Sequence, residues 1–347
     1  MPPSGRPPAM SDVAALAGVS HQTVSRVLND HPSVRPQTRE RVLAAIAELG
    51  YRRNSAARAL VTARTTTVGL LTSGSTHFGP AHMVQAIEVA LRRERYYVTT
   101  ASLDGPDRAS ATEALEHLVD QGVEGVVAVA PIVEVARVVD DLRPPCPVVV
   151  AAARRELPDD VHAQYVYADQ WLGAQLATEH LLNLGHTHLV HLAGPMSWFD
   201  ARERADAFEE TARARGAATQ VLAAGGWSAR RGYELGLRLA SQVRAVDGPT
   251  AFFAGNDLMA IGLVRALWES GLRVPDDASV VGFDDVEGSA YLVPSLTTVR
   301  QPFEAVGRAA VRALLEAWRT PDEKALAPVA AVMPPELMVR GSTGEHR

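Results

Sequence analysis

The chain has 347 residues, 47% of them hydrophobic and 21% charged, which at roughly 100–200 residues per domain allows a small module plus one or two larger domains and excludes a disordered chain or a coiled-coil rod. A single thiol, Cys146, cannot close an internal disulfide, no cysteine and histidine set has zinc spacing, and no apolar run approaches a membrane span, so with no secretory core near Met1 a cytoplasmic protein is expected. The formal charge of −6 is unevenly divided: residues 1–64 carry nine arginines against four carboxylates, a net +5, which leaves −11 for the rest. A basic head on an acidic body is the footprint expected if the head meets phosphates and the body does not.

In chain order, Ser11-Asp12 can cap a helix carrying Val13, Leu16 and Ala17, which Gly18 breaks. Ser20 then caps a second helix from His21 to Leu28, and Pro36 suits the first turn of a third, on which Val42, Ile46 and Leu49 recur at helical spacing up to Gly50. On the second helix Val24, Val27 and Leu28 fall on one side, and His21, Gln22, Ser25 and Arg26 on the other. Gln22 and Arg26 lie one turn apart on a helix that follows a tight turn. Arginine can pair bidentately with guanine and glutamine with adenine, which is the chemistry of a helix-turn-helix.

From about residue 66 short apolar runs alternate with helical stretches: Val68 to Thr72, Tyr97 to Ser102, Gly125 to Ala130, Val148 to Ala152, Leu189 to Ala193, Thr219 to Ala223, Thr250 to Ala254 and Ser279 to Phe283, with Tyr165 to Ala168 a further strand end. Such runs predict parallel sheets covered on both faces, as one barrel or as two doubly wound lobes. In open sheets, ligands lie beyond the carboxyl ends of the strands. The end of the sequence offers one last strand and a short polar tail without leucine heptads.

Several colinear motifs carry a resemblance: Ser11-Asp12-Val13-Ala14 through Gly18-Val19-Ser20, Thr38-Arg39-Glu40-Arg41-Val42, Leu49-Gly50-Tyr51, Asn54 to Leu60, Asn183-Leu184-Gly185-His186, Leu192-Ala193-Gly194-Pro195, Asn256-Asp257, Val280 to Asp285, and Leu296 to Gln301. The chain resembles the lactose/galactose-repressor (LacI/GalR) family of bacterial transcription regulators over nearly its whole length. The resemblance implies an all-α helix-turn-helix DNA-binding domain (9–53), a hinge helix and linker (54–64), and an α/β two-lobed, periplasmic-binding-protein-like (type I) effector and dimerisation domain with parallel sheets (65–347). It implies that His21, Gln22, Ser25 and Arg26 read the major groove and that Asn54, Ala57 and Leu60 belong to the hinge helix, with Leu60 as the apolar wedge in the minor groove. It also places Phe78, Asp169, Arg204, Trp227, Asn256, Asp284 and Phe303 at effector positions, where carboxylates and a guanidinium suit vicinal hydroxyls and aromatic faces suit a pyranose.

Other signals carry less. His180, His186, His188 and His191 crowd together without a carboxylate or cysteine to complete a metal geometry, and Asp284-Asp285 would point apart at a strand end, with no nucleophile elbow or P-loop nearby. No enzyme, cofactor or metal is therefore expected. Trp198 and Phe199 after Pro195 either close over a ligand or pack. The expected function is a homodimeric repressor of carbohydrate-utilisation genes, released from a palindromic operator by a sugar, a galactoside or other hexoside being favoured. The alternatives are a corepressor-dependent regulator sensing a nucleobase or other metabolite, and a solute-binding protein, against which the basic head argues. The tail without heptads predicts dimers through the body and no C-terminal bundle.

Overall fold

The computed structural model describes residues 8–52, 64–74, 77–105, 107–129, 132–154, 163–319 and 329–346. It divides into a head, Met1–Thr65, and a body, Thr66–Arg347.

The head is three helices, α1 (Met10–Ala17), α2 (His21–Leu28) and α3 (Pro36–Leu49). Helix α1 begins before the expected cap: Asp12 lies in its first turn, and its carboxylate accepts the Ala9 N–H at 2.8 Å. Gly18 ends α1 at φ +64°, a left-handed conformation that glycine adopts without a Cβ clash. Ser20 caps α2, its hydroxyl accepting the Thr23 N–H, and Pro36 opens α3. Val13, Ala14, Ala17, Val24, Val27, Val42, Ala45 and Tyr51 form the mini-core. Leu16, expected inside, is 46% exposed, because the narrow core formed by three short helices takes the face of Val13, Ala14 and Ala17 instead.

The body is two doubly wound α/β lobes. The first sheet has the order β11-β5-β4-β3-β1-β2 and is parallel throughout, from β1 (Thr67–Thr72), β2 (Tyr97–Ser102), β3 (Gly125–Val129), β4 (Val148–Val150), β5 (Gln164–Ala168) and β11 (Val329–Met333). Around it pack α4 (Phe78–Arg93), α5 (Arg108–Asp120), α6 (Val133–Leu142) and α11 (Phe303–Arg319), giving one apolar cluster on each face of the sheet. The second sheet has the order β12-β10-β9-β8-β6-β7, from β6 (His188–Ala193), β7 (Ala218–Ala223), β8 (Ala251–Ala254), β9 (Ser279–Asp284), β10 (Thr297–Arg300) and β12 (Glu336–Met338), with only β12 antiparallel. Its helices are α7 (Gln170–Asn183), α8 (Phe199–Ala214), α9 (Ala229–Val243) and α10 (Asp257–Glu269). Two sheets, each covered on both faces, replace the barrel alternative. Strands β10 and β11 escaped the sequence reading: β10 has four residues and buries the polar Thr297 and Thr298, and β11 is alanine-rich.

The chain crosses between lobes three times, from β5 into α7, from β10 into α11 and from β11 into β12. The first and third crossovers are joined by a backbone hydrogen bond, Asp169 N–H to Met333 O, at 2.9 Å. All three leave carboxyl ends of strands, so the hinge and the place where a parallel sheet receives ligands coincide.

Candidate functional site

In the head, the outer face of α2 presents His21, Gln22 and Arg26 to solvent, with Ser25 half-buried beside them. Val24 and Val27 are buried on the opposite side, so the hydrophobic pattern of the helix fixes which face is offered outward. Among the described residues no carboxylate pairs with Arg26, which leaves its five donors available to an acceptor. Asn54, Ala57 and Leu60, the expected hinge residues, lie outside the described residues.

In the body, two adjoining narrow chambers lie between the lobes, each with a cavity volume of about 30 Å³; with the open space at their mouths they come to about 310 and 400 Å³. Phe78, Arg204, Trp227, Asn256 and Asp284 line the smaller with His77, Trp198 and Asp200, while Phe303 and Gln170 line the larger; Gln301 borders both. Asp169 lines neither. Its carboxylate accepts the Leu172 N–H at 2.9 Å as the cap of α7, and the neighbouring Gln170 takes the place at the cleft.

Arg204 is the centre of the smaller chamber. It projects from α8, is 3% exposed, and lies with its guanidinium carbon 3.7 Å from the centroid of the Phe283 ring and 5.5 Å from that of Trp227. Its Nε donates to Gln170 Oε1 at 2.9 Å, one terminal nitrogen donates to the Gly255 carbonyl, and the other lies 4.0 Å from Asp200. Gln170 in turn donates to Gln301 Oε1 at 2.8 Å, and Gln301 donates to Asp284 Oδ1 at 2.6 Å. Burial pushes the Asp284 carboxyl up to about 7, against the lowering pull of Arg204 and with a further push from Asp257. Asp257, buried beneath, is raised by burial to about 6 although it accepts from Ser289, Thr298 and the Val286 N–H.

Asp284 ends β9 at φ +114° and Asp285 follows at +51°, a strained pair for side-chain-bearing residues. The strain is held by opposite anchors: Asp284 faces Gln301 in the cleft, and Asp285 pairs with Arg300 at 2.7 Å and Arg340 at 2.6 Å. The two carboxylates thus point apart and do not form an acid pair.

Aromatic rings close the other side. Trp198 packs edge-on between His77 of the first lobe, at 5.7 Å, and Trp227 of the second, at 5.6 Å, which places it against the cleft, while Phe199 joins the core of the first lobe. Trp227 seats its ring against Gly194, where a Cβ would collide with it. Its indole N–H is buried without a hydrogen-bond partner among the described residues. Asn256 caps α10 through the Met259 N–H at 2.9 Å and donates to the Trp227 carbonyl at 3.1 Å, so it both ends the strand and fixes the tryptophan. Sequence reasoning missed Gln170, Gln301, Asp200 and His77; Gln301 closes a quoted motif, but nothing in the local sequence announces that two distant glutamines meet. Each of the four crowded histidines has a partner of its own: the half-buried His180 bonds to Thr343 and His188 to the Asp247 carbonyl, while the buried His186 bonds to Thr250 and Ser279 and the buried His191 to the Phe253 carbonyl, and burial lowers the last two to about 4. Among the described residues no group of histidine, cysteine and carboxylate side chains could hold a metal ion.

Residues 9–54 match the model of bacterial regulatory proteins of the lacI family, and residues 178–343 match a periplasmic binding protein-like domain. The lactose operon repressor of Escherichia coli (strain K12) is 33% identical over 318 residues, covering 90% of this chain and 85% of that protein. The chain belongs to the lacI family. A further relative, the HTH-type transcriptional repressor PurR of Haemophilus influenzae, is 34% identical, covering 96% of this chain and 98% of that protein. Among solved structures, a lac repressor dimer bound to operator and the anti-inducer ONPF matches with a TM-score of 0.87 at 32% identity, covering 98% of this chain and all of that one. As a lacI-family member the protein is a DNA-binding transcriptional repressor rather than an enzyme. No helix among the described residues is long and apolar enough to cross a membrane.

Proposed function

We propose that this lacI-family repressor works in the cytoplasm as a homodimer whose grip on a palindromic operator is controlled by a sugar bound between the lobes of the body. His21, Gln22, Ser25 and Arg26 read base edges in the major groove, and Asn54, Ala57 and Leu60 act from the hinge segment. A two-fold operator read by one helix per subunit requires two subunits with the recognition helices on one face of the duplex.

The observation that carries the effector reading is the composition of the cleft. A buried guanidinium and a buried carboxylate, joined through two amides, face a wall of Phe78, Trp198, Trp227 and Phe303. Paired donors and acceptors suit vicinal hydroxyls, the rings suit the C–H face of a pyranose, and the partnerless indole N–H of Trp227 supplies one more donor. Arg204, Asp284, Asn256, Trp227, Phe78 and Phe303 are the effector contacts in this reading, and Asp169 is a helix cap. Thermal unfolding against galactose, lactose, ribose, cellobiose, adenine, guanine and hypoxanthine tests it. A hexose or hexoside at about 100 times its Kd should add about 2.7 kcal/mol, a shift of several degrees; stabilisation by a purine alone would replace the sugar with a nucleobase.

A further inference from the structure

Gln170 and Gln301 are 4% and 7% exposed and sit on different crossovers between the lobes: Gln170 opens α7 just after β5, and Gln301 lies between β10 and α11. Their hydrogen bond, 2.8 Å long, is the middle link of a chain whose ends are fixed by charge. The Nε of Arg204 can only donate, so the oxygen of Gln170 must face it and its amide nitrogen must face Gln301. That nitrogen can only donate, so the oxygen of Gln301 must face it, which turns the nitrogen of Gln301 toward Asp284 Oδ1. The Arg204 end thus imposes one orientation on both amides, and flipping either glutamine would set donor against donor or acceptor against acceptor. Three consecutive bonds polarise in one direction from the cation to the anion, in a site with little solvent. The first crossover is also tied to the third, through Asp169 N–H and Met333 O, so a bond between Gln170 and Gln301 gathers all three strands of the hinge.

We propose that the Gln170–Gln301 hydrogen bond is the lock of the inter-lobe hinge, set by Arg204 and Asp284 and therefore readable by whatever molecule engages those two charges. The two glutamines are positioning residues: each holds a cleft group in place and each belongs to a segment that must twist when the lobes change angle. A ligand that draws Arg204 or Asp284 toward itself pulls on the lock, which converts a contact in the cleft into a change at the crossovers. The regulatory half of this inference rests on the effector reading given above; the hinge half does not.

Hydrogen–deuterium exchange of the full-length protein without ligand tests the hinge half. Gln301→Met keeps chain length and bulk but removes both bonds. Protection at residues 168–173 and 299–305 should fall at least tenfold while β1 and β8 stay within twofold of the wild type; Gln170→Met should do the same, and the double variant should lose no more than either single one. Unchanged crossovers, uniform loss across both lobes, or additive losses would each overturn the lock. Gln301→Glu gives an independent readout. The introduced carboxylate still accepts from Gln170 but faces Asp284, which is itself surrounded by Arg204 and Asp200 of α8 and Asp257 of α10. A proton shared between the two carboxyls should restore protection at pH 5.5, and its loss should remove protection at pH 8, after normalising to intrinsic exchange and to the wild type at both values. A pH-independent defect would show packing alone and overturn the proposal. For the regulatory half, the sugar that gives the largest shift in the thermal panel is titrated against the operator complex: Gln301→Met should retain sugar binding within about tenfold while the sugar-induced loss of operator affinity shrinks at least tenfold, and an unchanged loss would refute the coupling. If no sugar in the panel binds, the effector reading fails while the exchange result still decides the hinge.

Discussion

Arg26 in the head and Arg204 in the body are both offered to a ligand, but in opposite states. Arg26 stands in solvent on the outer face of α2 with no carboxylate partner among the described residues. Arg204 is 3% exposed, bonded to Gln170 and to the Gly255 carbonyl, and laid on the Phe283 ring before any ligand arrives. The difference follows from the solvent each ligand brings. A DNA groove meets a hydrated arginine with its own charge, and released counterions drive the encounter. With the neutral sugar proposed above as ligand, no charge enters the cleft, so the desolvation of a buried guanidinium must already be offset by the fold. One region can therefore lose its arginine at no cost to its folding; the other cannot.

The largest effect that sharpens this contrast is Arg204→Ala. It leaves Asp284 and Asp200 without their counter-charge, and removing one partner of a buried ionic set costs about 3–5 kcal/mol, so calorimetry of the body transition should show Tm falling by about 10 °C. A fall of only a degree or two would break the comparison. Arg26→Ala should cost about 1–3 kcal/mol of discrimination at the operator, read as a ten- to hundredfold loss in a binding titration, with the body transition unmoved. Ser20→Ala removes the cap of α2 and about 1 kcal/mol, so amide exchange within α2 of the full chain should quicken about fivefold, with none of the change in the body.

The smallest effect is a pH dependence that only the body should show. Burial raises Asp284 to about 7 and Asp257 to about 6, so between the usual carboxylate range and those values the folded state holds protons that the unfolded chain releases. Stability from these groups is therefore fullest in acid and is lost as pH rises through 7. His186 and His191, lowered to about 4, act in the opposite sense and weaken the fold as pH falls below about 6.5. From pH 8 to 6.5 Asp284 should add about 1 kcal/mol, which His186 and His191 together offset by a similar amount as the unfolded chain takes up their protons, so the wild-type Tm should stay nearly level. Asp284→Asn, which still accepts from Gln301, should uncover the histidine loss as a fall of about 2 °C in Tm from pH 8 to about 6.5; a Tm as level as the wild type's would show that Asp284 is not the titrating group.

The sequence made the head and the strand rhythm legible because both rest on local rules: Gly18 and Ser20 punctuate, Val24 and Val27 mark the inner face, and buried parallel strands such as Val148–Val150 run apolar without interruption. The lining of the cleft was legible at strand ends, as at Asn256 and Asp284, which both border it. It was not legible where a contact joins residues far apart in the chain, since Gln170 and Gln301 are ordinary polar residues until the crossovers bring them within 2.8 Å. Asp169 shows an ambiguity that sequence leaves open: an acid after a strand suits a ligand and a helix start equally, and its carboxylate caps α7.

The central claim is that occupancy of a preorganised cleft controls a head that needs no preorganisation. Fluorescence anisotropy on a palindromic duplex selected from a random pool, titrated with the sugar that stabilises the protein most, measures it directly. The account predicts at least a tenfold loss of operator affinity at saturating sugar, absent in a variant that no longer binds that sugar. Saturation of the cleft with operator affinity unchanged would contradict it.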